Sequence, residues 1–120
     1  MSNKETAIAF LKTCAMESPK EAFAKYTNTN FKHHNQYFNG DADSLMIAMI
    51  EADKSAPNKS FKVKQTLETL DRVALFSHVV KDEMEIAVVH IMRFENGKIS
   101  EMWDVGQKIE KDSPNENGMF

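Results

Sequence analysis

The sequence has little of what several classes of protein require. Its single cysteine, Cys14, excludes an internal disulfide and fits a reducing compartment, so we expect a cytoplasmic protein in which Cys14 is a core residue. No apolar run approaches the ~18 residues that span a bilayer, and the first ten residues have no signal-peptide core. The net charge of −3 gives no basic footprint. We therefore expect neither a membrane nor a nucleic acid as partner.

Proline and glycine are also scarce. Three prolines and four glycines are distributed over 120 residues, and no stretch has the composition of a linker or a repeat. The apolar share of 42% and the charged share of 28% are ordinary for a globular protein. The sequence predicts one domain over 1–120, with a polar, extended tail over 111–120.

The period of the apolar pattern changes along the chain. Apolar residues first recur at helical spacing and, from Phe61 onward, alternate with polar ones as in strands. The predicted helices are 4–17, 18–26 and a third from Asp41 or Asp43 to Lys54; the predicted strands are 31–38, from 61 onward, 73–80 and a hairpin over 86–107. Helices followed by antiparallel strands favour an α+β fold, with the helices closing one face of a curved antiparallel or mixed sheet to form a cone with an apolar interior.

The hairpin IAVVHIMRFENGKISEMWDVGQ, residues 86–107, carries the candidate chemistry. Its two strands fold back about Asn96-Gly97, and they place His90 and Asp104 among apolar neighbours. A carboxylate in such surroundings must be paired, shifted in pKa or turned outward to solvent. Because ligand sites are concave and mostly apolar with few polar groups, this hairpin is where we expect the site.

Two registers are open for this hairpin. A two-residue type I′ turn pairs Glu95 with Lys98 and puts His90 and Asp104 on opposite faces of the sheet. A three-residue loop ending in a left-handed glycine pairs Phe94 with Lys98 and puts His90 and Asp104 on one face. We favour the second register, which leaves Arg93 and Glu101 diagonally opposed on the other face as a structural ion pair.

Several segments, in this order, resemble a known family. They are Phe31-Lys32-His33-His34-Asn35, Asp71-Arg72-Val73-Ala74, the run from Ala87 to Phe94, the run from Glu101 to Gln107, and the terminal Pro114-Asn115-Glu116-Asn117-Gly118-Met119-Phe120. The chain is similar, from its first helix to its last residue, to the SnoaL-like polyketide cyclase group of the nuclear transport factor 2-like (NTF2-like) superfamily. The resemblance implies a cone-shaped α+β barrel with a deep hydrophobic pocket, often a homodimer packed through its sheets.

The resemblance also implies roles for individual residues. In the cyclases of this group an aspartate with histidines nearby closes a ring by an intramolecular aldol reaction, without metal or cofactor. Asp104 falls on that aspartate, and His90 and His34 fall on the histidines. The expected pocket walls are Trp103, Phe76, Phe94, Met92, Met102, Met46, Met49 and Asn35. Phe76 stands where relatives often carry histidine, and Met102 where many carry histidine or leucine, which implies a more apolar and less catalytic pocket.

A metal site is the weaker interpretation of the same residues. His34 or its neighbour His33 could complete a two-histidine, one-carboxylate set with His90 and Asp104, but no ligand spacing supports it. At most one of the two adjacent histidines can face the pocket from a strand. We expect no metal and no cofactor.

The sequence thus supports two hypotheses of different class. The first is an enzyme that binds a small hydrophobic carbonyl compound and performs acid/base chemistry of the aldol or isomerase type. The second is a non-catalytic binding or dimerisation module of the same fold, in which Trp103 belongs to a subunit interface. Phe76, at a commonly polar position, favours the second.

Overall fold

The computed structural model describes residues 1–120 as three helices and five strands. The helices are α1 (Asn3–Met16), α2 (Pro19–Tyr26) and α3 (Ala42–Ser55), and the strands are β1 (Thr27–His33), β2 (Asn58–Glu68), β3 (Arg72–Lys81), β4 (Glu85–Glu95) and β5 (Lys98–Lys108). They form one sheet in the order β1-β5-β4-β3-β2, in which only β1 and β5 are parallel. The predicted α+β fold is confirmed, as a mixed sheet that is not closed.

Local capping fixes where each helix begins. Ser2 and Glu5 form a reciprocal capping box at the start of α1, with both hydrogen bonds at 3.1 Å. Ser18 accepts from the Glu21 N–H at the start of α2, and Asp41 accepts from the Ser44 N–H at 2.9 Å at the start of α3. The three predicted helices are therefore confirmed to within one or two residues.

The first strand is displaced from its predicted position. We expected a strand over 31–38, whereas β1 begins at Thr27 and ends at His33, and residues 34–40 form a turn. The turn is made by Asn35, whose N–H donates to His33 Nδ1 at 3.1 Å and whose Oδ1 accepts from the Tyr37 N–H at 3.0 Å. Asparagine side chains bond their own backbone in this way and compete with a strand.

The helices cover one face of the sheet. A cluster of fourteen buried apolar residues joins them to that face, which we call the inner face. The rings of Phe10 and Phe23 meet edge to face at 5.2 Å, and Phe23 meets Phe31 at 5.4 Å. Cys14 is buried in this cluster, as predicted.

The opposite face, which we call the outer face, has no helix on it. It exposes Val89, Ile91 and Val105, the last with 74% of its surface accessible. After β5 the chain forms turns without further strand or helix, and Phe120 packs on the outer face against Phe76 at 5.0 Å and His78 at 4.8 Å between ring centres. None of the three helices combines the length and the apolar character needed to cross a membrane.

Candidate functional site

The turn of the hairpin differs from the one we favoured. Asn96 and Gly97 both have positive φ, 51° and 78°, and Glu95 pairs with Lys98. This is the two-residue arrangement typical of a type I′ turn, so the prediction of a three-residue loop is wrong.

A β-bulge nevertheless brings the two candidate residues together. Phe94 pairs with Ile99 but the preceding Arg93 pairs with Glu101, so Ser100 is an extra residue in β5. The extra residue reverses the face of every later side chain in β5. His90 and Asp104 are therefore direct cross-strand partners on the inner face, and the expectation that they share a face is confirmed.

Asp104 is held from the turn after β1. Asn35 Nδ2 donates to Asp104 Oδ2 at 3.1 Å. The orientation of the Asn35 amide is fixed, because its oxygen accepts from the Tyr37 N–H, which can only donate. The other carboxylate oxygen of Asp104, Oδ1, is buried without a hydrogen-bond partner. One half of the carboxylate is thus anchored and the other half is free.

His90 has a complementary arrangement across from Asp104. Its Nδ1 is buried without a partner. Burial lowers the pKa of His90 below its usual 6.5, and the negative charge of Asp104 partly opposes this. The imidazole is therefore neutral at pH 7 and can accept a proton.

A cavity of about 160 Å³ opens beside His90, between α1, α3 and the inner face of the sheet. Most of its wall is apolar. Its lining residues are Leu11, Cys14, Ala15, Met49, Ala52, Asp53, Asn58, Phe61, Val79, Lys81 and His90. Burial raises the pKa of the Cys14 thiol, so Cys14 is a wall residue rather than a nucleophile. Asp104 is not part of this wall, so His90 is the member of the pair that a ligand would touch.

The predicted wall residues fall into two groups. Met49 lines the cavity, Met46 packs against the core, and Phe94, Met92 and Met102 are buried within the core itself. Phe76 and Trp103 lie on the outer face, where they pair with Val89 and Ile91. Of the predicted wall residues only Met49 lines the cavity, so the prediction is corrected for Phe76 and Trp103 and equally for Met46, Phe94, Met92, Met102 and Asn35. For Trp103 the reason is the alternation of strand faces: it stands between Met102 and Asp104 along β5, so its side chain points away from both.

His34 is also on the outer side. Its Nε2 lies 2.6 Å from Glu101 Oε2, and its ring stacks on Trp103 at 4.9 Å. It therefore does not join His90 and Asp104, as we had expected. His33 points inward, where its Nε2 lies 2.6 Å from the Asn39 carbonyl oxygen. No group of three histidine, cysteine, aspartate or glutamate side chains is arranged to hold a metal ion, so the alternative metal set is not assembled.

The predicted ion pair on the outer face is confirmed. Arg93 Nε donates to Glu101 Oε1 at 3.1 Å, and Arg93 Nη1 donates to Glu95 at 2.9 Å. The hydrogen bond with His34, followed by that with Arg93, lowers the pKa of Glu101. The two residues face each other directly instead of diagonally, because of the bulge at Ser100.

Sequence reasoning missed three polar residues of the cavity wall, Asp53, Asn58 and Lys81. They lie at the end of α3, the start of β2 and the end of β3. These element ends meet only in the folded chain, so no local sequence pattern marks them.

Comparisons with known proteins support the fold. AclR from Streptomyces galilaeus is 20% identical, with a TM-score of 0.74 over 88% of this chain and 78% of that one. A SnoaL-like polyketide cyclase from Agrobacterium tumefaciens is 13% identical, with a TM-score of 0.72 over 89% and 92%. An NTF2-like protein from Burkholderia xenovorans is 12% identical, with a TM-score of 0.72 over 93% and 88%. No protein-family model matches the chain, and no curated protein sequence matches it.

Proposed function

We propose that this chain, which has the fold of the SnoaL-like and NTF2-like proteins, binds a small, mostly apolar carbonyl compound and catalyses proton transfer on it. One observation carries the proposal. The neutral, partly unbonded imidazole of His90 stands on the wall of an apolar cavity, directly opposite a carboxylate that Asn35 anchors. Sites of this kind, apolar with one or two oriented polar groups, favour small ligands over solvent. The similar Agrobacterium tumefaciens protein is named a polyketide cyclase, which agrees with a carbonyl substrate.

We infer that His90 rather than Asp104 makes the proton transfer, because His90 lines the cavity and Asp104 does not. A neutral His90 takes a proton from the carbon next to the carbonyl group, and the carboxylate of Asp104 stabilises the imidazolium that forms. The resulting enolate attacks a second carbonyl carbon in an aldol step, or it is reprotonated at another carbon in an isomerisation. His90 then returns its proton to the new alkoxide oxygen or to that carbon. The scheme uses only side chains of this chain.

The size of the cavity limits the ligand. A cavity of about 150 Å³ lined by apolar residues holds benzene, and the one beside His90 has about 160 Å³. The part of the ligand that is enclosed therefore has about the bulk of one six-membered ring with a short chain. A longer substrate would have to extend beyond the walls described here.

Hydrogen–deuterium exchange at the α-carbon of small ketones tests the chemistry without knowledge of the full reaction. We expect the chain to accelerate this exchange for aryl-alkyl ketones, as followed by proton NMR in D₂O. His90→Gln should lower the acceleration by about a hundredfold or more, the usual contribution of a general base. Asp104→Asn should lower it by a smaller factor while the fold is retained.

His78→Gln is the matched control for this experiment. His78 lies on the outer face with its Nε2 2.6 Å from Glu85 Oε1, away from the cavity. The His78→Gln variant should catalyse α-proton exchange at the wild-type rate. Equal exchange rates for wild type, His90→Gln and His78→Gln would remove His90 from any catalytic role.

A second candidate function has its own support. The outer face presents apolar side chains from three strands, among them Val105, Ile91 and Leu67 with its surface 72% exposed. Patches of exposed apolar side chains mark protein interfaces. We infer that this face associates with a second copy of the chain. Such an interface would be sufficient for a non-catalytic dimerisation or binding module, without any chemistry at His90.

A further inference from the structure

Asn58 is a second residue of the cavity wall, besides His90, that has a buried polar atom without a hydrogen-bond partner. Asn58, the first residue of β2, donates from Nδ2 to the carbonyl oxygen of Ala15 at 3.0 Å. That oxygen belongs to the last turn of α1, where carbonyl groups lack a helical partner. Because a carbonyl oxygen can only accept, the NH₂ group of Asn58 must face Ala15 and its Oδ1 must face the other way.

The amide oxygen of Asn58 is then left without a donor. Oδ1 is buried and has no hydrogen-bond partner, although Asn58 lines the cavity. Buried polar side-chain atoms are bonded in the large majority of cases, so an unbonded acceptor on a cavity wall indicates a group that arrives from outside. The neighbouring cation does not fill the position, because Lys81 Nζ donates to the Ala56 carbonyl oxygen at 2.5 Å.

The position of Asn58 relative to His90 determines how a ligand is oriented in the cavity. Asn58 pairs with Lys81 at one end of β3, whereas His90 pairs with Leu75, six residues earlier on the same strand (81 − 75). Both residues line the cavity, and the register places them towards its opposite ends. Asp53, whose pKa is raised by burial, lies at the Asn58 end and adds a second acceptor there.

We propose that Asn58 is a specificity-determining residue whose Oδ1 accepts a hydrogen bond from a hydroxyl or N–H group at the end of the ligand remote from His90. The substrate class is then a hydroxy- or amino-substituted carbonyl compound. Its carbonyl group lies at His90 and its hydrogen-bond donor at Asn58. Its apolar body packs along Phe61, Val79 and Met49. The placement of the carbonyl rests on the proposed function. The placement of the hydrogen-bond donor at Asn58 is independent of the proposed function.

Three ketones that differ at one position test the proposal. They are 4-(4-hydroxyphenyl)butan-2-one, which has a donor, 4-(4-methoxyphenyl)butan-2-one, which can only accept, and 4-phenylbutan-2-one, which has neither. We expect the hydroxyl compound to bind about tenfold or more tighter than the other two, measured by calorimetry, because only it satisfies the buried oxygen. The side-chain amide signal of Asn58 in a ¹H–¹⁵N NMR spectrum should shift with this compound alone.

Asn58→Leu, of similar size, should abolish the preference by weakening the hydroxyl compound to the level of the other two. The wild-type comparison decides the matter even where this variant is unstable. Equal wild-type affinities for the three ketones, or binding of none of them at millimolar concentration, would overturn the proposal.

The same compounds separate this inference from the proposed chemistry. His90→Gln should lose α-proton exchange and keep the preference for the hydroxyl compound. A preserved preference without any exchange in wild type would leave Asn58 as a specificity residue of a binding protein and remove the catalytic proposal. α-Proton exchange in wild type without a preference for the hydroxyl compound would keep the catalytic proposal and overturn the role of Asn58.

Discussion

At the scale of single residues, His90 links the site to stability. Burial lowers its pKa in the folded chain, whereas in the unfolded chain its pKa is near 6.5. Below that value the unfolded chain binds a proton that the folded chain does not, so protonation favours unfolding. The stability that depends on neutral His90 is fully present above about pH 6.5 and is lost as the pH falls from there towards the lowered pKa of the folded state.

We therefore expect the free energy of unfolding of the wild type to fall between pH 6.5 and pH 5 more steeply than that of His90→Gln. The difference in slope should be at most about 1.4 kcal/mol per pH unit, the value for one proton. Urea denaturation at several pH values measures it, with His78→Gln as the control that retains the wild-type slope. Parallel curves for wild type and His90→Gln would contradict the assignment of a buried, neutral imidazole.

At the residue level, His90 and Asp104 drew attention because polar side chains stand out in apolar strands. Their shared face was predicted correctly although the favoured turn was wrong, because the bulge at Ser100 restores it. The resemblance implied that His34 lies beside His90 and Asp104, and Trp103 was expected in the pocket wall. Both lie on the outer side of the sheet. Asn58 gave no local signal, because its role depends on the end of α1, 43 residues earlier in sequence.

At the scale of elements, the hairpin turn depends on one glycine. Gly97 has φ +78°, a left-handed conformation in which a side chain is strained, although no atom lies within 4 Å of where its Cβ would be. We expect Gly97→Ala to destabilise the fold by about 1–2 kcal/mol, the cost of this conformation for a residue with a Cβ.

Gly106, in β5 of the same hairpin, is the matched control. A Cβ there would meet its nearest atoms, in Ala87 and Ile86, at 3.5 Å, which is ordinary contact. Gly106→Ala should leave stability unchanged or raise it by up to about 1 kcal/mol through the unfolded chain. Thermal melts of both variants test the pair, and equal losses would indicate that the turn is not left-handed at Gly97.

Element prediction was limited by long-range pairing. The helices could be placed because caps and periodicity are local, and Ser18, Pro19 and Asp41 marked two of their starts. β1 was misplaced because Thr27-Asn28-Thr29-Asn30 has no apolar pattern, and β1 joins the sheet only through its two ends, which pair with β5 some seventy residues later. The bulge at Ser100 likewise has no glycine or proline to mark it.

At the scale of the whole molecule, the outer face predicts the state of association. We expect the chain to sediment as a dimer, at twice its mass of 13.7 kDa. Val105→Glu should shift it to the monomer, because a charge would be buried in an apolar contact between sheets. Analytical ultracentrifugation at several concentrations measures this. α-Proton exchange per chain should be unaffected, since Val105 lies on the face opposite His90.

Leu70→Glu is the control for surface charge. Leu70 is 98% exposed but lies in the turn between β2 and β3, outside the sheet. The Leu70→Glu variant should remain a dimer. A wild type that is monomeric at all concentrations would reject the outer face as a contact between two copies.

The bulge at Ser100 separates two strand registers in the hairpin, one at its tip and one beside the site. The register between Arg93 and Glu101 is established on the site side of the bulge, and the Arg93–Glu101 ion pair stands there as a fixed point. The tip, Glu95 to Lys98, could therefore lengthen or shorten in the course of evolution, or accept an inserted loop in engineering, without turning Asp104 away from His90. One residue inserted on the other side of that point would reverse the face of Asp104 while leaving the tip unchanged. The tip is thus the place at which this fold can acquire new loops next to an unaltered site.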